Sequence, residues 1–161
     1  MRPSLILLQV GLAVALTLPS TMAFAARQVP LGASQVRALY SGKTWVWPKG
    51  AGYFSPNGSF RAWSKDSKLG TSHARGRWSV QLGGQLCFTA RWFYRTKDVK
   101  SQDCFTHRYY RGAILQRKEP DGAWYIFKHK RVRRGDEYLK LRRGNLLPAR
   151  VRATSALRAT W

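Results

Sequence analysis

Three features of this sequence predict an all-β fold, a small antiparallel up-and-down barrel of about eight strands preceded by a short N-terminal helix. Runs of aromatic and β-branched residues recur at intervals of roughly eight to twelve residues, each bounded by turn-forming residues. Within the runs, apolar and polar residues alternate with the two-residue period of a strand that buries one face. The stretches between runs are too short for crossover helices, so successive strands pair with their neighbours as a meander. Closing a meander removes its exposed edges and leaves an interior that either fills with side chains or holds one small ligand. A two-sheet sandwich is the competing architecture.

Residues 1–25 are read as a secretory signal peptide. A basic start at Arg2 precedes an apolar run from Leu5 to Leu18, a break at Pro19-Ser20, and the small residues Ala23 and Ala25. Cleavage is expected after Ala25, with Ala26 as the alternative. The apolar run is shorter than the roughly 20 residues of a bilayer span, and no later run is longer. The mature chain is therefore expected to be periplasmic or secreted, with no transmembrane segment.

Residues 26–33 read as a loose leader. Ser34 is a good N-cap, and Val36, Leu39 and Tyr40 fall at i, i+3 and i+4, which predicts a helix over 35–40 ended by Gly42. Strands follow near 44–47, 51–54, 59–63, 74–81, 86–94, 102–109, 113–118 and 123–129. Pro56-Asn57-Gly58, Gly83-Gly84 and Pro120-Asp121-Gly122 supply the reversals between them. The barrel domain is expected to span 34–147, with Pro148 opening a basic tail over 148–161 that lies outside it.

Along the strand from Leu86, the residues Leu86, Phe88, Ala90, Trp92 and Tyr94 share one face, which should point inward. Cys87, Thr89, Arg91, Phe93 and Arg95 share the other. Trp45, Trp78, Phe88, Trp92 and Trp124 are the aromatics expected to fill the core or line a pocket. The strand at 123–129 is apolar on both sides near its turn, so it is expected to be covered on both faces. Export would place Cys87 and Cys104 in an oxidising compartment, where the pair is expected to form one intramolecular disulfide.

The 161 residues suit one domain, and 29 Lys and Arg against 7 Asp and Glu give a formal charge of +22. With 44% apolar residues, the chain is a basic globular protein and not a disordered one. Seven carboxylates, two cysteines and three histidines leave few ways to build a carboxylate pair, a zinc cluster or a charged triad. His73, His107 and His129 have no metal-site spacing, and no Gly-x-Ser-x-Gly elbow occurs. Asp136 and Glu137 read as local charge partners, and Glu119 and Asp121 as servants of a turn. The expectation is a non-enzymatic protein without metal or cofactor.

Several short motifs occur in a fixed order: Val36-Arg-Ala-Leu-Tyr40, Lys43-Thr-Trp45-Val-Trp47, Gly50-Ala-Gly52, Phe60-Arg-Ala-Trp63, Gly76-Arg-Trp78, Gly84-Gln-Leu-Cys87-Phe, Cys104-Phe-Thr-His107-Arg, and Gln116-Arg-Lys-Glu-Pro-Asp-Gly122-Ala-Trp124-Tyr-Ile-Phe-Lys-His129. In this series, from Ser34 to Leu147, the chain resembles a family of small exported proteins of Gram-negative bacteria, catalogued as domain of unknown function nine hundred and ninety-five. The resemblance implies an exported β-rich domain with a paired-cysteine element, and no catalytic residues. A looser likeness to lipocalins implies fold alone. Gly42-Lys-Thr-Trp45 is one residue longer than the lipocalin Gly-x-Trp.

The basic clusters carry the functional expectation. Lys128, Lys130, Arg131, Arg133 and Arg134 crowd one short stretch, followed by Arg142 and Arg143, and together they form the candidate anion-binding patch. Arginine suits bidentate phosphate or carboxylate contacts. Arg61, Lys65 and Lys68 read as scattered background charge. The partners expected in an envelope compartment are lipopolysaccharide, anionic lipid or acidic polysaccharide, and export makes nucleic acid a poor physiological partner. The alternative is a filled barrel acting as a structural or interaction module for an envelope protein, and the third reading is an enzyme with an unrecognised site. An open internal pocket would favour the first, and a filled interior the second.

Overall fold

The computed structural model describes residues 27–66, 70–148 and 151. The expected signal peptide and most of the tail beyond Pro148 lie outside the described residues. In chain order the elements are β1 (Val29–Pro30), α1 (Ala33–Tyr40), β2 (Lys43–Trp47), β3 (Gly50–Phe54), β4 (Ser59–Asp66), β5 (Gly70–Gln81), β6 (Gln85–Phe93), β7 (Asp98–Tyr110), β8 (Ala113–Lys118), β9 (Tyr125–Lys128), a 3-10 turn at Glu137–Lys140, and β10 (Leu141–Arg143). The ten strands form one antiparallel sheet, nine of them in the order β10-β2-β3-β4-β5-β6-β7-β8-β9 and β1 paired to β7. The sheet curls into a half-barrel, so the all-β barrel-like meander is the observed fold.

Closure differs from the expected full barrel. Among the described residues β9 and β10 do not pair with each other, and the 3-10 turn sits at the seam between them. Glu137 Oε1 accepts from Trp45 Nε1 at 2.8 Å, and Phe127 meets the edge of Tyr138. Thr44, fully buried, ties β2 to the chain beyond β10 by donating to Gly144 O at 2.7 Å and accepting from Leu146 N at 3.1 Å.

Two N-terminal details also differ. The leader is held, because Val29–Pro30 pairs with β7 and Leu31 donates to His107 O at 3.1 Å. This strand continues the edge of β7 where β6 ends at the Gly83-Gly84 turn. A Cβ on Gly84 would lie 2.6 Å from Leu31 O, so only glycine lets the two backbones approach. Helix α1 begins two residues earlier than the expected cap implies. Gly32 is the N-cap, its N–H donating to the Gln35 side chain at 2.9 Å.

The interior is a filled aromatic core. Val36 and Tyr40 of α1 are fully buried, with Tyr40 against Trp45, Phe54 and Phe127. Phe54 touches Phe60, Trp78 and Phe88 with ring centroids 5.1 to 5.6 Å apart. Leu86, Phe88, Ala90 and Trp92 face this core as the alternation predicts. Trp124 does not. It precedes β9, half-buried, with the guanidinium groups of Arg108 and Arg117 over its ring at 4.8 and 5.0 Å. The strand β9 is covered on one face only, since Phe127 is fully buried while Ile126, on the opposite face, is exposed. A second small cluster on the sheet's other face joins Ala51, Leu147 and Val151 to Tyr53 and Trp63. Among the described residues no helix is long and apolar enough to cross a membrane.

Candidate functional site

The outer face of β4 to β7 carries cations placed by strand register. Strand register places Arg61 opposite Arg75, Arg75 opposite Arg91, and Arg91 opposite Lys100. One cation per strand thus lines up straight across four strands. Because neighbouring strands lie about 4.8 Å apart, the row spans roughly 15 Å. Two residues along, Ser59, Arg77, Thr89 and Gln102 form a parallel row by the same pairings. Like charges directly opposite one another disfavour the sheet, so the row has no structural reason of its own.

Arg91 and Arg75 each have local partners. Arg91 lies 4.0 Å from Asp98, both about half exposed, a geometry that contributes little. The Arg75 guanidinium stands 5.4 Å over the Phe93 ring, which also stacks on His73. Surface grooves of about 460 and 340 Å³ run beside the row and share Arg75, Gly76 and Arg91. Gly76 makes this shape available: a Cβ there would lie 1.8 Å from Thr89 O, so the β5 and β6 backbones meet more closely than any side chain permits. Four residues from the Arg91–Lys100 pair, the predicted disulfide joins Cys87 to Cys104 as a directly opposed β6–β7 pair. It pins the register that sets Arg91 against Lys100. In the chain-entropy account such a loop contributes about 3 kcal/mol.

The patch expected from sequence is placed elsewhere and more loosely. Lys128 ends β9 with its ammonium 5.4 Å over Tyr138, and Lys130, Arg131, Arg133 and Arg134 are exposed in the loop that follows. That loop is shaped by Asp136, whose carboxylate accepts from His129 Nδ1 at 2.6 Å, His129 N at 3.1 Å and Arg133 N at 3.0 Å. Burial alone would raise the Asp136 pKa, but these hydrogen bonds and the adjacent imidazole hold it below the usual value. Arg142 and Arg143 lie exposed on β10, opposite Thr44 and Lys43. Burial and the facing Arg143 lower the Lys43 pKa, and its ammonium donates to the Leu39 carbonyl at the end of α1. Glu137 pairs with Lys140, so Asp136 and Glu137 are the local charge partners expected. Of the background charges, Arg61 begins the outer row, Lys65 is exposed on β4, and Lys68 lies outside the described residues.

The three histidines occupy three settings. His73 is on the outer face, His129 is held by Asp136, and His107 is fully buried inside the barrel. His107 Nε2 lies 2.9 Å from both the Tyr40 hydroxyl and Gln116 Nε2, and its Nδ1 lies 3.0 Å from the Gly84 carbonyl. Gln116 Nε2 donates to Tyr40 at 2.7 Å, and its Oε1 accepts from Tyr125. Burial pushes His107 down to about 4, against the raising effect of its carbonyl hydrogen bonds, and keeps it neutral. Burial pushes Tyr125 up to about 12 and Tyr40 well above its ordinary value. These groups partner one another. Glu119, at the β8 turn, is drawn below the usual range chiefly by Thr106, assisted by Arg117 2.9 Å away.

No curated protein and no solved structure matches this chain. A family model described as protein of unknown function (DUF995) matches residues 5–147, and its span takes in every strand, the disulfide and the cationic row. The chain belongs to that family.

Proposed function

We propose that this protein is an exported, non-enzymatic binding protein of the Gram-negative periplasm or cell surface, whose basic outer face takes an anionic envelope-associated ligand: lipopolysaccharide phosphate, anionic lipid or acidic polysaccharide. The single observation that carries this reading is the row Arg61–Arg75–Arg91–Lys100, in which cations stand opposite cations across four strands. Such an arrangement costs folding energy and repays it when a polyanion neutralises the row. A bridged cysteine pair supports an oxidising compartment. Full mutual partnering of Tyr40, His107 and Gln116 supports a structural role for the barrel's polar interior.

The test is binding to lipopolysaccharide and to phosphatidylglycerol vesicles at matched ionic strength. Replacing Arg61, Arg75 and Arg91 by glutamine should weaken binding at least tenfold more than replacing Arg131, Arg133 and Arg134. Equal losses would reduce the basicity to bulk attraction, which acts on any strongly charged protein. A second reading, an interaction module for an acidic envelope protein, is favoured by the filled aromatic interior around Phe54 and Trp78. It requires the partner to compete for the same row.

A further inference from the structure

We infer that the row is a subsite for a linear acidic polysaccharide carrying one carboxylate per sugar, which rests on the anionic-ligand reading above. Four cations in line, one per strand, form a track, whereas a bilayer headgroup surface presents charge in two dimensions. A polyuronate repeats its carboxylate at each ring, a rise close to the strand spacing of about 4.8 Å. A run of four such sugars therefore has about the length of the row, within reach of its long arginine and lysine side chains. Open surface grooves of about 460 and 340 Å³ lie along the track.

The second row supplies what a sugar needs besides charge. Thr89 and Gln102, both exposed, and Ser59 stand two residues along from Arg91, Lys100 and Arg61 on the same face, and Arg77 completes that row as its cation. Their hydroxyl and amide groups donate and accept, matching ring hydroxyls, while the guanidinium groups of Arg75 and Arg91 suit bidentate carboxylate contact. A phosphodiester offers acceptors alone, and a phosphatidylglycerol headgroup adds only the two hydroxyls of its glycerol, fewer than a row of sugar rings presents. Three arginines and one lysine in line predict a site size of four sugars.

The experiment is calorimetric titration of the disulfide-bonded protein with oligogalacturonates of one to eight sugars, at fixed ionic strength. Affinity per molecule should climb at least tenfold from the disaccharide to the tetrasaccharide and then rise less than threefold to the octasaccharide. The Thr89→Ala, Gln102→Ala double variant should lose three- to tenfold for the tetrasaccharide and little for phosphatidylglycerol vesicles. A tetrasaccharide no tighter than the disaccharide overturns the proposal, and this reading needs no variant to fold. Vesicle or lipopolysaccharide binding that depends on Arg61, Arg75 and Arg91, with no oligogalacturonate binding, overturns the polysaccharide assignment and leaves the anionic-ligand reading standing. Binding of every anion that ignores those arginines overturns both.

Discussion

On the inner face of β5, Ala74 and Trp78 are buried in the main hydrophobic core, and Trp78 sends its indole N–H to Ser55 O at 2.8 Å. One residue away on the outer face of the same strand, Arg75 faces Arg61 on one side and Arg91 on the other. The inner face is chemically closed: even its buried imidazole, hydroxyl and amide groups satisfy one another. The outer face sets cations opposite cations across four strands. The contrast teaches that stability and recognition are assigned to opposite sides of one sheet, so a substitution on one side should move one property and spare the other.

The largest expected effect breaks the inner side. Phe54 is 1% exposed and touches four aromatic rings, those of Tyr40, Phe60, Trp78 and Phe88. Phe54→Ala should lower stability by about 3–5 kcal/mol in urea unfolding, from lost burial and a residual cavity. Anion affinity measured where the variant remains folded should stay within twofold of the parent. A large loss of affinity with the fold intact would show that the two faces are coupled.

The next effect uses pH to reach the same interior. The folded His107 pKa, about 4, lies below the ordinary value of 6.5, so the unfolded chain takes up the proton first. Its contribution to stability is therefore full above pH 6.5 and is lost as pH falls through that window to about 4, a loss of about 3 kcal/mol at 1.36 kcal/mol per unit. Asp136 and Glu119, both held low, add their losses only at still lower pH. The His107→Gln variant should give a flatter denaturant-midpoint profile between pH 6.5 and 4.5. Parallel profiles for parent and variant would sink the assignment.

The inner face was legible in the sequence and the outer row was not, for a physical reason. Burial writes a period of two into a single strand, so Leu86, Phe88, Ala90 and Trp92 could be assigned inward from local pattern alone. A charge row across strands is written in register, and its members stand 14, 16 and 9 positions apart in the chain. One step was recoverable. The turn at Gly83-Gly84 fixes Gln81 opposite Gln85, and counting back from it sets Arg75 against Arg91. The other two steps depend on β4 and β5 continuing to Asp66 and Gly70, and on β7 beginning at Asp98, polar stretches that carry no strand pattern. The cluster at 128–134 was conspicuous because it is contiguous, yet contiguous residues in a loop diverge. Trp124 read as a strand start after glycine, while Arg108 and Arg117 from β7 and β8 hold it outside the core. That pairing too exists only in register.

The smallest expected effect is the sharpest test of the contrast, because its sign is opposite to that of an ordinary mutation. Arg91 stands between Arg75 and Lys100, with the Asp98 carboxylate 4.0 Å away. Arg91→Gln removes two opposed like-charge contacts and should raise stability by roughly 0.2–1 kcal/mol at low salt. The gain should shrink toward zero near 1 M salt, where the Debye length is about 3 Å. Arg131→Gln, in the exposed loop, should stay within about 0.5 kcal/mol of the parent at either salt. Urea midpoints at two ionic strengths decide it, read beside anion affinity, which should fall for Arg91→Gln alone. If Arg91→Gln instead loses stability at low salt, the cations are mutually compensated within the folded sheet, and the outer face is as closed as the inner one.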